Sequence, residues 1–218
     1  MAKPAQGRRR RRALFVDLDG TVRATRTGRP HPVKSWDQEI REGVPERLLE
    51  YKGRRFKVVG VTNQGGVAFS YLTENDVEEI NRRLCEELLP GLFDLVLYCP
   101  CHPKGRLAPY RLDSEDRKPN PGMAFKARDA LGLDLARSVM VGDSEDDRAF
   151  ARNAGIGRFF WEREFFGPGA LPEASADAAL AAPRSAVRRR RAAAKPNRRK
   201  ARKPARQPAA KHRRSRHR

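Results

Sequence analysis

Asp17-Leu18-Asp19-Gly20-Thr21 closes a short apolar run near the start of the chain and sets two carboxylates two residues apart. Alternate residues of a strand point to the same side, so both acids face one place. Crowding them is costly unless a cation or a proton sits between them. Gly20 permits a sharp exit from the strand, which lets backbone amides approach a ligand. One carboxylate can then attack a phosphorus atom while the other handles the leaving-group proton. Taken alone, the same residues also read as turn chemistry at a strand end.

Three further groups complete the pattern. Thr62-Asn63 ends a second apolar run and is followed by Gln64-Gly65-Gly66, whose hydroxyl, amide and backbone N–H groups suit phosphate oxygens. Lys118, within Arg117-Lys118-Pro119-Asn120-Pro121-Gly122, brings an ammonium that can neutralise a phosphate and screen nearby acids. By itself it would be a solvated lysine before a proline turn. Gly142-Asp143 closes another run, with Asp146 and Asp147 on the next turn. Such an acidic cluster, set opposite the paired aspartates, suggests Mg²⁺, which prefers oxygen ligands.

These residues need elements to hold them. Residues 13–19, 57–63, 95–99, 138–143 and 157–161 are short, β-branched or apolar runs that suit buried parallel strands. Between them, residues 45–52, 123–131 and 146–154 have helical patterns. Thr73 with Asp76 resembles an N-terminal capping pair, after which Val77, Ile80, Leu84 and Leu88 recur at helical spacing. The alternation predicts a three-layer α/β domain with a mostly parallel sheet. In such sheets ligands bind outside the carboxyl ends of the strands, where Asp17, Asp19, Thr62, Asn63 and Asp143 all fall.

With four such groups in order, residues 14–167 resemble the haloacid dehalogenase (HAD) superfamily of phosphohydrolases, with a Rossmann-like fold. The resemblance implies Asp17 as the nucleophile that forms an aspartyl-phosphate and Asp19 as general acid/base. Asp17, the backbone carbonyl of Asp19, and Asp143 would hold Mg²⁺. Thr62, Asn63 and Lys118 would bind the phosphoryl group, supported by Asp147 and Arg117. Thr-Asn-Gln-Gly-Gly at 62–66 and the stretch 117–123 are similar to the subgroup of histidinol phosphatase, heptose bisphosphate 7-phosphatase and polynucleotide 3′-phosphatase. Members of that subgroup lack a large cap domain, and the spacing here leaves no room for one.

Two features pull in different directions. Cys99-Pro100-Cys101-His102-Pro103 is similar to half of the zinc loop of the small-substrate members, but the second half falls on Ser114 and Asp116. A structural zinc site wants four N or S donors, and Cys99, Cys101 and His102 supply three, so a metal-free loop is expected. Residues 147–156, Phe165-Phe166 and the stretch 25–36 resemble the polynucleotide 3′-phosphatase branch instead.

Charge is distributed unevenly along the 218 residues. The formal net charge is +20, yet residues 1–12 hold six Lys/Arg and residues 184–218 hold seventeen, both without an acid. The intervening segment keeps 24 bases against 27 acids. The chain is therefore expected to have a basic disordered arm at 1–12, a phosphatase domain at 13–168, and a disordered Ala/Pro/Arg/Lys-rich tail at 169–218. The two basic segments contain no Phe, Tyr or Trp, so nucleic-acid binding through them should be nonspecific. Three cysteines exclude a disulfide scaffold, and no apolar run approaches a membrane span. The arginines at 8–12 lead straight into a β-like run, unlike a secretory leader.

The leading expectation is a monomeric, cytoplasmic, Mg²⁺-dependent phosphomonoesterase acting on a small phosphorylated metabolite of the sugar or histidinol phosphate type. A eukaryotic source would make the basic tail a nuclear signal. The alternatives are a polynucleotide 3′-phosphatase and a basic nucleic-acid-binding protein with an inactive body.

Overall fold

The structure is a computed structural model that describes residues 10–167. The tail at 169–218, and the first nine residues of the basic arm, lie outside the described residues. At the centre is β1 (Ala13–Asp17), whose four apolar residues are completely buried. It pairs in parallel with β4 (Lys57–Asn63) on one side and β6 (Val139–Gly142) on the other. Two more parallel strands, β5 (Leu95–Cys99) and β7 (Arg158–Trp161), extend the sheet to the order β5-β4-β1-β6-β7.

Side-chain alternation divides this sheet into two cores. On one face Leu14, Val16, Val58, Val139 and Val141 pack against α1 (Val44–Gly53) and the short α5 (Glu162–Phe166), through Leu48, Tyr51, Phe165 and Phe166. On the other face Ala13, Phe15, Val59, Val61 and Met140 pack against α3 (Gly122–Leu131) and α4 (Glu145–Ala154), through Met123, Ala127, Phe150 and Ala151. A sheet covered on both faces needs strands apolar on both faces, and the β1 and β4 runs meet that demand. Full burial of a side chain such as Phe15 contributes about 1.5–3 kcal/mol.

The five runs expected to be strands are the five strands of this sheet, trimmed at some ends. The capping pair of Thr73 and Asp76 is present at the start of α2 (Glu74–Arg83), each side chain bonding the other residue's backbone N–H. Three details differ from the sequence reading. The helix continues as a π-helical turn at Leu84–Leu88, a two-residue antiparallel ladder joins β2 (Arg23–Ala24) to β3 (Glu39–Ile40), and α5 is an additional helix. No described helix is long and apolar enough to cross a membrane. Because every strand of the large sheet runs the same way, β1, β4 and β6 deliver Asp17, Thr62-Asn63 and Gly142-Asp143 to one edge.

Candidate active site

Lys118 is the hub of that edge. Although only 3% exposed, it carries its ammonium into the interior, donating to Asp17 Oδ1 at 2.5 Å, Asp147 Oδ1 at 2.7 Å and the Val61 carbonyl at 3.0 Å. Burial alone would pull its proton off, but Asp17 and Asp147 outweigh burial and raise its pKa above the ordinary lysine value. Its backbone is clamped as well. Asn63 donates to the Lys118 carbonyl at 3.0 Å and accepts the Lys118 N–H at 2.9 Å. The Asn63 side chain, expected on phosphate, is thus engaged in holding Lys118.

Asp147 has both oxygens committed. Oδ1 faces Lys118, while Oδ2 accepts from the Ser144 hydroxyl at 2.6 Å and the Ser144 N–H at 3.2 Å. Ser144 Oγ in turn accepts the Asp147 N–H, so the capping box that starts α4 also aims the carboxylate. Gly142 is required just before it, because a Cβ there would lie 2.4 Å from the Asp147 Cβ.

Asp17 is buried and asymmetric. Oδ1 meets Lys118, but Oδ2 has no hydrogen-bond partner. Burial pushes the carboxyl up, Lys118 opposes the push, and Asp147 and Asp19 reinforce it, leaving a pKa of about 7. The neighbouring Asp143 is also raised, through partial burial first and Asp147 second. Oxygens of Asp17, Asp143 and Asp147 lie within 4.8 Å of one another, and Asp146 is exposed. Gly20, at φ 93°, lets the chain turn beneath Asp143, whose Oδ2 would be 2.2 Å from any Cβ. A buried, unpartnered carboxylate oxygen beside further carboxylates is a donor set that fits Mg²⁺. Zinc would find a poorer, all-oxygen set here.

Asp19 is gripped from two sides. Oδ1 accepts from Arg23 Nε at 2.7 Å, and Oδ2 accepts from the Gln64 amide at 2.6 Å and the Thr62 hydroxyl at 3.4 Å. Arg23 is 1% exposed and braced by Gln38 and Asn81 at 2.8 and 3.3 Å. Arg23 and Ser144 lie outside the motifs legible in the sequence, and the Gln64 amide, expected toward phosphate, is engaged with Asp19. Asp19 and Arg23 meet across the turn that follows β1, where no helical spacing rule applies, so the pair follows from the folded chain.

Arg117, expected as a support, points elsewhere, donating to the Cys101 carbonyl at 3.2 Å. In the cysteine loop, His102 Nδ1 accepts the Lys104 N–H at 3.0 Å and the Cys99 thiol lies 4.0 Å from the Cys101 carbonyl. All three cysteines are free. Among the described residues, Asp17, Asp143 and Asp147 form the single cluster of acid, His or Cys ligand atoms close enough to share an ion, and it does not include Cys99, Cys101 and His102.

An α/β sheet whose carboxyl edge gathers paired aspartates, a buried lysine and a third acid defines a class, and comparison with known proteins gives it a name. The chain belongs to the haloacid dehalogenase superfamily and is one of its phosphatases. A family model described as HAD-hydrolase-like matches residues 116–184, which include Lys118, Asp143 and Asp147. The chain is 37% identical over 147 residues to the D-glycero-beta-D-manno-heptose-1,7-bisphosphate 7-phosphatase of Escherichia coli, a match covering 66% of this chain and 76% of the relative. The enzyme of the same name from Rhodopseudomonas palustris is 34% identical, with 71% and 86% covered. Among solved structures, a HAD-like phosphatase from Mesorhizobium loti is 33% identical with a TM-score of 0.61, covering 67% of this chain and 69% of that one. The D,D-heptose 1,7-bisphosphate phosphatase of B. bronchiseptica, complexed with magnesium and phosphate, is 25% identical with a TM-score of 0.57, covering 74% and 89%.

Proposed function

We propose that this phosphatase hydrolyses a monoester of a small phosphorylated sugar, through an aspartyl-phosphate on Asp17 and with Mg²⁺ as cofactor. One observation carries the reading. The buried Asp17 has one oxygen fixed by Lys118 and the other unpartnered, as a nucleophile held ready would have. The sugar-phosphate class is supported by the relatives named as heptose bisphosphate phosphatases.

In this reading Asp17 attacks phosphorus and the P–O bond to the sugar breaks. Asp19 gives its proton to the departing sugar oxygen, then as carboxylate takes a proton from the water that attacks the acyl-phosphate. Inorganic phosphate leaves and Asp17 is restored. Lys118 balances charge on the transferring phosphoryl group, and the Thr62 hydroxyl binds one of its oxygens. Asn63 and Asp147 act by holding Lys118 in place. The Gln64 amide, donating to Asp19 Oδ2, helps to orient that carboxyl. Asp17, Asp143 and the Asp19 carbonyl would hold Mg²⁺, which supplies positive charge to the phosphoryl oxygens.

The test is phosphate release from a panel of sugar bisphosphates, sugar monophosphates, histidinol phosphate and 3′-phosphorylated oligonucleotides, with and without chelator. The highest kcat/KM should fall on a sugar phosphate and vanish on chelation. Preference for the oligonucleotide would transfer the assignment to nucleic-acid end processing.

A further inference from the structure

At the other end of the sheet, where β1 and β4 begin, the surface is hollowed into a cavity of about 690 Å³. Eight cationic side chains line it, Arg10, Arg12, Arg54, Arg55 and Arg137 among them, against one carboxylate, Asp94. A strand rises about 3.3 Å per residue, so the start of β1 lies about 13 Å from Asp17. The cavity shares no residue with the catalytic cluster.

This positive lining is held in place by the fold. The Arg12 guanidinium lies 4.2 Å from the centre of the Phe56 ring, and that of Arg54 lies 4.9 Å from Tyr51 and 5.7 Å from Phe56. Arg11 exchanges backbone hydrogen bonds with Gly132 and Asp134 at 3.0 and 2.8 Å, and the Arg12 carbonyl accepts the Lys57 N–H at 2.9 Å. Lys57 and Lys52 both reach Asp94, at 2.6 and 3.3 Å, so the carboxylate is matched by lysines. Arg55 adopts φ 61°, a left-handed conformation that is unfavourable for most residues with a Cβ.

Gathering cations in this way raises the energy of the free protein, and an anion relieves it. With Lys52 and Lys57 on Asp94 and Arg54 3.6 Å from Glu50, the other arginines of the lining still outnumber the charges of one phosphate monoester, which favours a polyanion. Arginine predominates, and its planar fork matches phosphate oxygens in pairs. The exposed large apolar residues (Trp36, Leu49, Tyr71, Leu107 and Leu112) are absent from the lining, so no apolar wedge is offered to a bilayer. Phe56 is the aromatic residue of the cavity, and it is buried with arginines over its ring, so bases have no platform to stack on.

We propose that this cleft is a second anion site, which grips the phosphate backbone of a nucleic acid without reading its bases. It goes beyond the phosphatase reading and does not depend on it.

The test measures binding of the full chain to a fluorescently labelled single-stranded oligonucleotide across a salt series. A cleft variant carries Arg10→Gln, Arg55→Asn and Arg137→Gln, with asparagine chosen because it tolerates the left-handed backbone. A control variant removes three exposed arginines elsewhere, Arg82→Gln, Arg152→Gln and Arg163→Gln. Each variant loses three positive charges and keeps residues 1–9 and 184–218 unchanged, so general charge is matched. The cleft variant should bind about tenfold more weakly near physiological salt, with a log–log salt slope smaller by about two, as three lost single-strand phosphate contacts require. The control should stay within about twofold, and both should keep wild-type melting and wild-type turnover of a small phosphate ester. Equal losses in the two variants, or none in the cleft variant, would overturn the proposal. Cleft-dependent binding to phosphatidylserine vesicles without oligonucleotide binding would also overturn it.

Discussion

Lys118 donates a 2.5 Å hydrogen bond to Asp17 Oδ1, while the second oxygen of the same carboxylate, equally buried, has no partner. Three elements far apart in sequence produce this asymmetry. β1 supplies Asp17, the Asn63 clamp at the end of β4 fixes the Lys118 backbone, and the Ser144 cap of α4 aims Asp147 at the same ammonium. A buried ammonium between two carboxylates adds little net stability compared with an apolar core, but it becomes costly once one member is removed.

Lys118→Met should therefore leave two carboxylates uncompensated. Turnover should fall by about three orders of magnitude, and unfolding free energy should drop by about 3–5 kcal/mol at pH 7. Without the ammonium the Asp17 carboxyl rises further, and an acid with a raised folded-state pKa loses stability as pH climbs from its unfolded value. The deficit should be largest at and above neutral pH and shrink toward pH 5. Denaturant melts of both proteins across that range check it, and a deficit independent of pH would be inconsistent with unpaired carboxylates.

Mg²⁺ binding should compete with protons. The Asp17 carboxyl, at about 7, holds a proton through the mildly acidic range where an ordinary carboxyl has lost it. Metal binding must expel that proton, so affinity should rise by about tenfold per pH unit below 7 and level off above it. Isothermal titration with Mg²⁺ in buffers of different ionisation enthalpy would also detect the released proton. Asp143→Asn should weaken the same binding at every pH.

Asp94 supports an opposite pH dependence at the far end of the sheet. Burial pushes its carboxyl up, but hydrogen bonds from Lys57 and the Val58 N–H, with Lys52 nearby, hold it below the ordinary value. A depressed acid contributes stability that is present above its unfolded pKa and is lost as pH falls through its folded one. Asp94→Asn should cost about 1 kcal/mol at pH 7, and the gap should close below about pH 4. Thermal melts of both chains at neutral and acid pH provide the comparison.

Much of this architecture was legible because it rests on local pattern. Residues 57–63 and 95–99 match β4 and β5 end to end, since an apolar run covered on both faces is its own signal. Thr73 and Asp76 announced their helix because a capping box needs only three residues of separation. What escaped depends on distance or on small energies. A two-residue ladder such as β2–β3 has too few side chains to make a period. The π-helical turn at Leu84–Leu88 leaves apolar spacing almost unchanged. The Asn63 clamp spans 55 residues and the Gln64–Asp19 bond 45, so each exists only once the sheet has formed. The acids and the lysine could be read as chemistry from their types, but the choice of which oxygen is fixed and which is left open belongs to the folded chain.

The claim on which the account turns is that Asp17 is the phosphoryl acceptor. Acid-quenching the enzyme during turnover of a sugar phosphate, followed by peptide mass spectrometry, tests it directly. The account predicts a hydroxylamine-labile phosphoryl group on the Asp17 peptide, absent from Asp17→Asn, which should keep its fold and lose turnover. A phosphoryl group on any other residue, or an Asp17→Asn chain that turns over at the wild-type rate, would contradict it.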